Sequence, residues 1–153
     1  MKFSSRLCVI VLGLFLAVPS LGVPLSFAAT PPASGYTCNF SAPLWGIAFN
    51  PANNRLYVPL TSGIVEVITG SCKVISNVNV GGCPQDAAYD VSTQTMYVTN
   101  PCTNSVALIK GTSVIGNLTG PNLKSPENVA YDPGTKAMYV GTYGGAHLPP
   151  PTT

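Results

Sequence analysis

The chain has 153 residues, 46% of them hydrophobic and only 8% charged, with a formal net charge of +2. Lys2 and Arg6 near the start supply that surplus. Beyond them, Arg55, Lys73, Lys110, Lys124 and Lys136 balance Glu66, Asp86, Asp90, Glu127 and Asp132. No basic stripe is present to neutralise phosphates, which argues against nucleic acid as a partner, and recurring clusters of Val, Ile, Leu and Tyr argue against disorder.

Residues 1–29 read as a secretory signal peptide. Lys2 and Arg6 precede an uncharged run from Leu7 to Ala29, and Ser26-Phe27-Ala28 offers the small residues a signal peptidase reads. The rival is a retained membrane anchor, since the run is long enough to span a bilayer. Pro19 and Pro24, with Gly13 and Gly22, disfavour a continuous spanning helix. Cys8 lies too early, and lacks the preceding small residues, for lipid attachment. The expected location is therefore secreted, periplasmic or cell-surface. Residues 30–42 read as an N-terminal linker or edge segment.

From Pro43 onward one pattern comes three times. Ala48 to Val58 returns as Ala88 to Val98 and as Ala130 to Val140, spaced by about 40 residues, the period of a stacked supersecondary unit. Each copy opens with a short apolar run: Gly46 to Phe49, Asp86 to Tyr89 or Asn128 to Tyr131. Asn50-Pro51, Asp90 and Asp132-Pro133-Gly134 then supply turn chemistry, with side-chain oxygens that bond the backbone ahead. The second runs, Leu56 to Leu60, Met96 to Asn100 and Met138 to Thr142, complete hairpins. Third runs (Ile64 to Ile68, Val106 to Ile109) and fourth runs (Val74 to Val80, Val114 to Leu118) follow in the first two copies. Four short strands per repeat predict an all-β protein of β-propeller blades, each of four antiparallel strands, with about two and a half blades in this chain.

Tyr97-Val98-Thr99-Asn100 spells the four letters that name the YVTN β-propeller repeats. With Pro84 ahead of the first strand, Asp90 at its turn and Val106 to Ile109 as the third strand, the chain resembles that family over 43–145. The first and third copies depart from the core, reading Tyr57-Val58-Pro59-Leu60 and Tyr139-Val140-Gly141-Thr142. The resemblance implies an exported or surface-layer-like repeat protein. Its motif is a strand-and-turn pattern and transfers no active site.

Propellers close with 4–8 blades. Here the third copy breaks off after one hairpin and runs into Pro149-Pro150-Pro151, so 146–153 reads as a Pro-rich tail that cannot continue a paired strand. An open stack would leave apolar faces bare at both ends. The chain is thus expected to be a fragment of a longer propeller, or else one of several copies that complete a ring together.

Cys38, Cys72, Cys83 and Cys102 allow two disulfides in an oxidising compartment. Pairing Tyr89 with Met96 makes opposing residue numbers sum to 185, and Cys83 with Cys102 gives the same sum. That hairpin should therefore be closed by a disulfide worth about 3 kcal/mol. Cys38 with Cys72 follows by exclusion and would tie the N-terminal segment to the first blade. The cysteine spacings do not suit zinc, and no cofactor is expected.

Chemistry is sparse. His147, the only histidine, lies in the tail, so a Ser-His-Asp or Cys-His arrangement has no partner within the repeats. Asp90 and Asp132 read as turn residues, and Gly81-Gly82 and Gly144-Gly145 as turns between blades. The candidate ligand-binding residues stand at the start of each innermost strand, where the copies differ: Trp45 with Gly46, Gln85 with Asp86, and Glu127 with Asn128. Loops there rim the central channel of a propeller, and Trp45 could stack on a sugar. Asn39 and Asn117 lie in N-glycosylation triplets. The expected function is a non-enzymatic binding or scaffold module. The alternatives are a lactonase- or lyase-type propeller enzyme using Asp86 and Glu127, and a carbohydrate-binding oligomeric propeller using Trp45.

Overall fold

The computed structural model describes residues 35–144. The segment read as a signal peptide (1–29), with its expected cleavage site, and the Pro-rich 146–153, with His147, lie outside the described residues.

Among the described residues ten strands form in chain order: β1 (Ala48–Asn50), β2 (Arg55–Leu60), β3 (Ile64–Ile68), β4 (Val74–Asn79), β5 (Ala87–Asp90), β6 (Thr95–Asn100), β7 (Ser105–Lys110), β8 (Ser113–Thr119), β9 (Pro126–Asp132) and β10 (Ala137–Thr142). They assemble into two four-stranded sheets, ordered β1-β2-β3-β4 and β5-β6-β7-β8, and a β9-β10 hairpin. All pairings are antiparallel. The innermost strands β1, β5 and β9 are neighbours, as are successive sheets in a propeller. The predicted fold class holds: these are two complete blades and the inner half of a third.

The strand interiors differ as their positions require. β2, β3, β6 and β7 are buried on both faces, β6 and β7 between neighbouring sheets and β2 and β3 between blade 2 and the N-terminal segment, whereas the outer strands β4 and β8 are largely exposed. Both outer strands carry a bulge at the same place. Pairing with the third strand shifts at Val67/Ile68 in blade 1 and at Leu108/Ile109 in blade 2. The residues passed over, Ile75 and Ile115, point their side chains into solvent.

The turns between first and second strands are three copies of one device. The Asn50 Oδ1 accepts the Ala52 amide at 2.9 Å, the Asp90 Oδ1 accepts the Ser92 amide at 2.7 Å, and the Asp132 Oδ1 accepts the Gly134 amide at 2.8 Å. Each turn ends in a left-handed residue, Asn54, Gln94 or Lys136, with φ of 55°, 58° and 56°. Asp90 and Asp132 are thus held in their turns, as their place in the repeat predicts.

Each blade has a trailing face, toward the next blade, and a leading face, toward the one before. Ala48, Tyr57, Val65, Val67 and Val78 form the trailing face of blade 1 and pack against Ala87, Met96, Val98, Ala107 and Ile109 on the leading face of blade 2. Tyr57 is fully buried there (0% exposed), Tyr97 is half-buried against the third hairpin, and Tyr139 is 57% exposed. This gradient records how much of a following blade each tyrosine finds.

The leading face of blade 1 is not bare, contrary to what an open stack would give. Val58, Leu60 and Ile68 form a second apolar cluster under Cys38, Phe40 and Ala42. Cys38 is disulfide-bonded to Cys72 (Cα–Cα 5.4 Å), the Thr61 amide donates to the Pro43 carbonyl at 3.0 Å, and the Ser41 hydroxyl donates to Glu66 at 3.4 Å. The N-terminal segment therefore crosses the blade from its third-to-fourth-strand loop to its second-to-third-strand loop.

Candidate functional site

The loops that lead into the innermost strands share one rim with the loops between second and third strands. In blade 2 the two are fastened by the Cys83–Cys102 disulfide (Cα–Cα 5.6 Å), as the register predicts. Every pair from Ala87↔Val98 to Asp90↔Thr95 keeps the sum of 185 with no bulge. The ladder continues outward: the Gln85 amide donates to the Thr99 carbonyl at 3.0 Å, and the Thr99 amide donates to the Asp86 carbonyl at 2.9 Å.

Asp86 is the junction of this rim. Its Oδ1 accepts the Ala87 amide at 2.8 Å, and its Oδ2 accepts the Val129 amide of the third hairpin at 3.0 Å. On its other side stands Gly46 of blade 1, where a Cβ would lie 2.5 Å from the Asp86 Oδ1. One carboxylate thus touches all three repeats. Charge-assisted bonds to two amides make it a strong connector.

Thr99 and Asn100, the last two letters of the motif, do the remaining wiring, and sequence reasoning gave them no role. The Thr99 Oγ1 accepts the Asp86 amide at 3.0 Å and donates to the Glu127 carbonyl at 2.8 Å, which joins blade 2 to the third hairpin. Asn100 is buried; its Nδ2 donates to the Gly81 carbonyl at 2.8 Å, and its Oδ1 accepts the Cys83 amide at 3.0 Å. The loop needs glycine where it passes this side chain: Gly82 has φ of +59°, and a Cβ there would run into the Asn100 amide group. The coincidence of a Gly-Gly pair with Thr-Asn in one repeat alone was the only available signal.

The other predicted rim residues are brought to the same side but not into one cluster. Trp45 is 73% exposed. Gln85 and Glu127 are half-buried, and Asn128 is exposed on β9, across from Gly141. The surface they share is open, closing around no cavity among the described residues. No three His, Cys, Asp or Glu side chains converge on one point among the described residues. Asn39 and Asn117 are both exposed, the latter on β8. No helix among the described residues is long and apolar enough to cross a membrane.

No family model and no curated protein sequence matches the chain. Among solved structures it is similar to hydrazine synthase of Kuenenia stuttgartiensis, with a TM-score of 0.60 and 22% identity over 72% of this chain and 32% of that one. It is similar also to a chain of a nidogen/laminin complex, with a TM-score of 0.57 and 19% identity over 66% of this chain and 40% of that one. The chain thus spans about a third of the length of these structures. At such identities the likeness shows the propeller fold alone.

Proposed function

We propose that the chain is an exported, YVTN-type propeller module that binds or scaffolds through its rim and performs no chemistry of its own. On this reading residues 1–29 are its leader, 30–42 its N-terminal segment, 43–145 its repeats and 146–153 its tail. The observation that carries the reading is the state of Asp86. The carboxylate best placed for acid–base work already accepts the Ala87 and Val129 amides, and Gly46 closes its third side. A general base must be free to reach the proton it abstracts. Its only acidic neighbour in the rim sequence positions, Glu127, belongs to another repeat and is tied to Asp86 through Thr99 by its backbone carbonyl.

The frame repeats while the rim side chains differ from copy to copy, which suits recognition of an irregular partner by an open surface. Export is supported by two disulfides, which persist in oxidising compartments. The test is to screen the purified chain against surface polysaccharides and cell-envelope proteins while assaying lactone hydrolysis and polysaccharide lysis. Saturable binding with no turnover supports the proposal. Turnover lost on Asp86→Asn or Glu127→Gln, with the fold retained, would replace it with the enzyme reading.

A second reading rests on Trp45, the only tryptophan, which presents its ring to solvent at the rim. Exposed indoles stack on sugar faces. A glycan array with wild type and Trp45→Ala separates carbohydrate binding from a plain scaffold.

A further inference from the structure

The strand order gives every blade two ends. The rim is one; the turns between first and second strands and the loops between third and fourth strands make the other. Charge divides unevenly between them. Arg55, Lys73, Lys110 and Lys136 all belong to the turn end, where the acids are Asp90 and Asp132. Both carboxylates are folded back onto their own turns, Asp90 on Ser92 and Thr93 and Asp132 on Gly134 and Thr135. The rim carries Asp86 and Glu127 against Lys124. Four cations against two acids leave the turn end positive, and two acids against one cation leave the rim negative.

Apolar side chains gather at the same end. The outer strands β4 and β8 open with Val74-Ile75 and Val114-Ile115, then become polar with Ser76-Asn77 and Gly116-Asn117. In both blades the bulge falls on this apolar pair, so two consecutive side chains leave the alternation of the ladder. Both face water, at 46% and 45% exposed in blade 1 and 39% and 56% in blade 2. Val91, in the hairpin turn of blade 2, is exposed at the same end. None of the five belongs to either core cluster. Stacked repeats set the two pairs at one height. The Tyr57 hydroxyl, bonded to Gly111 of the blade 2 loop and Asn53 of the blade 1 turn, fastens those two connections together. The turn end is thus a level cationic edge with aliphatic side chains standing out of it, and it closes around no cavity among the described residues.

We infer that the turn end docks on a membrane surface bearing anionic phospholipids. Its partner must be negative, flat enough to meet two blades at once, and able to take in single aliphatic side chains without a matching pocket. A layer of anionic headgroups over an acyl boundary has all three properties. Headgroup phosphates meet Arg55, Lys73, Lys110 and Lys136, while Val74, Ile75, Val114 and Ile115 enter the boundary beneath them. The rim lies at the far end of six-residue strands, roughly 20 Å from the bilayer, and faces away from it.

The test measures sedimentation of the purified, exported chain with vesicles of phosphatidylcholine, with and without phosphatidylglycerol. Wild type should bind the mixed vesicles and not the neutral ones, and salt should weaken the binding. Replacing Lys73 and Lys110 together by Gln should weaken it about thirtyfold, at about fivefold per charge. Ile75→Thr with Ile115→Thr, which keeps β-branched residues in the outer strands, should weaken it about tenfold. Lys124→Gln takes a charge from the rim and should change nothing. Trp45, the only tryptophan, should keep its fluorescence when the lipid chains are brominated, because it stands at the rim. All the substituted side chains are exposed, so far-UV circular dichroism and both disulfides should match wild type. The inference is overturned if wild type ignores the mixed vesicles or binds neutral ones equally. Isoleucine variants that bind like wild type, loss of binding in Lys124→Gln, or quenching of Trp45 overturn it too. So does retention on an immobilised acidic polysaccharide without vesicle binding, which would make the turn end a polymer site.

Discussion

The Tyr57 hydroxyl donates to the Gly111 carbonyl at 2.7 Å, across 54 residues of sequence and from one blade to the next. The same oxygen accepts the Asn53 side-chain amide at 3.1 Å, so a fully buried phenol ring ends in a saturated polar tip. Tyr57→Phe leaves the carbonyl and amide without their partner and should cost about 1–3 kcal/mol. Tyr139→Phe, at the equivalent position with an exposed ring, should change stability by less than about 0.5 kcal/mol. Urea denaturation of the two variants side by side checks the difference.

The two disulfides should fail in different ways. Cys83 and Cys102 are 19 residues apart and close a hairpin whose ladder exists without them, so replacing both by Ser should cost about 3 kcal/mol. Cys38 and Cys72 are 34 residues apart and hold the segment that covers Val58, Leu60 and Ile68. Their removal should cost at least as much and also expose that cluster. Binding of a hydrophobic dye to the native-like state should rise for the second pair and stay flat for the first.

Asp90 should make stability depend on pH on the acid side. Burial pushes its carboxyl up, but hydrogen bonds from Ser92 and Thr93 outweigh burial and hold it below the usual value. A carboxyl that is more acidic folded than unfolded stabilises fully above its unfolded value, near pH 4, and loses that contribution as pH falls through the lower folded value. Denaturation midpoints measured from pH 6 downward should therefore fall for wild type and fall less for Asp90→Asn. Asp132, held low by Thr135 and the Gly134 amide, acts in the same direction from a wetter turn.

Neighbouring glycines should answer differently to alanine. Gly81 and Gly82 both have positive φ, of 68° and 59°. A Cβ on Gly81 meets nothing within 4 Å, whereas one on Gly82 meets the buried Asn100 side chain. Gly81→Ala should cost about 1 kcal/mol of backbone strain. Gly82→Ala should cost about 1–3 kcal/mol more, because Asn100 must shift and release the Gly81 carbonyl and the Cys83 amide. Comparing the two midpoints isolates the side-chain clash.

What could be read from the sequence follows the range of the forces involved. The hairpins, their register and the Cys83–Cys102 bond are set by alternation and turn chemistry within about twenty residues, so a sum rule on Tyr89 and Met96 reaches the cysteines. Asx turns at Asn50, Asp90 and Asp132 are local in the same sense. The role of Thr99 was not legible, because Glu127 comes close only after sheets stack, and that of Asn100 was not, because its partners are backbone groups of the irregular Val80–Cys83 loop, outside the strand ladder. That the N-terminal segment, expected to be tied to blade 1 through Cys38 and Cys72, also covers the leading face was missed for a related reason. Cys38, Phe40 and Ala42 alternate over too few residues to signal a strand, and their use is visible only against blade 1. Asp86 was singled out for its position in the repeat, while the amides that occupy it lie one and 43 residues away.

The disulfides join the first of these four cysteines to the second and the third to the fourth, with no interlacing. A polypeptide that emerges amino end first presents Cys72 to Cys38 before Cys83 or Cys102 appears, and later Cys102 to Cys83. Oxidation that keeps pace with emergence yields the native pairs directly. Maturation should then proceed undiminished in cells that lack a bond-shuffling isomerase, whereas refolding from the fully reduced chain, with all four thiols free together, should scramble and depend on one.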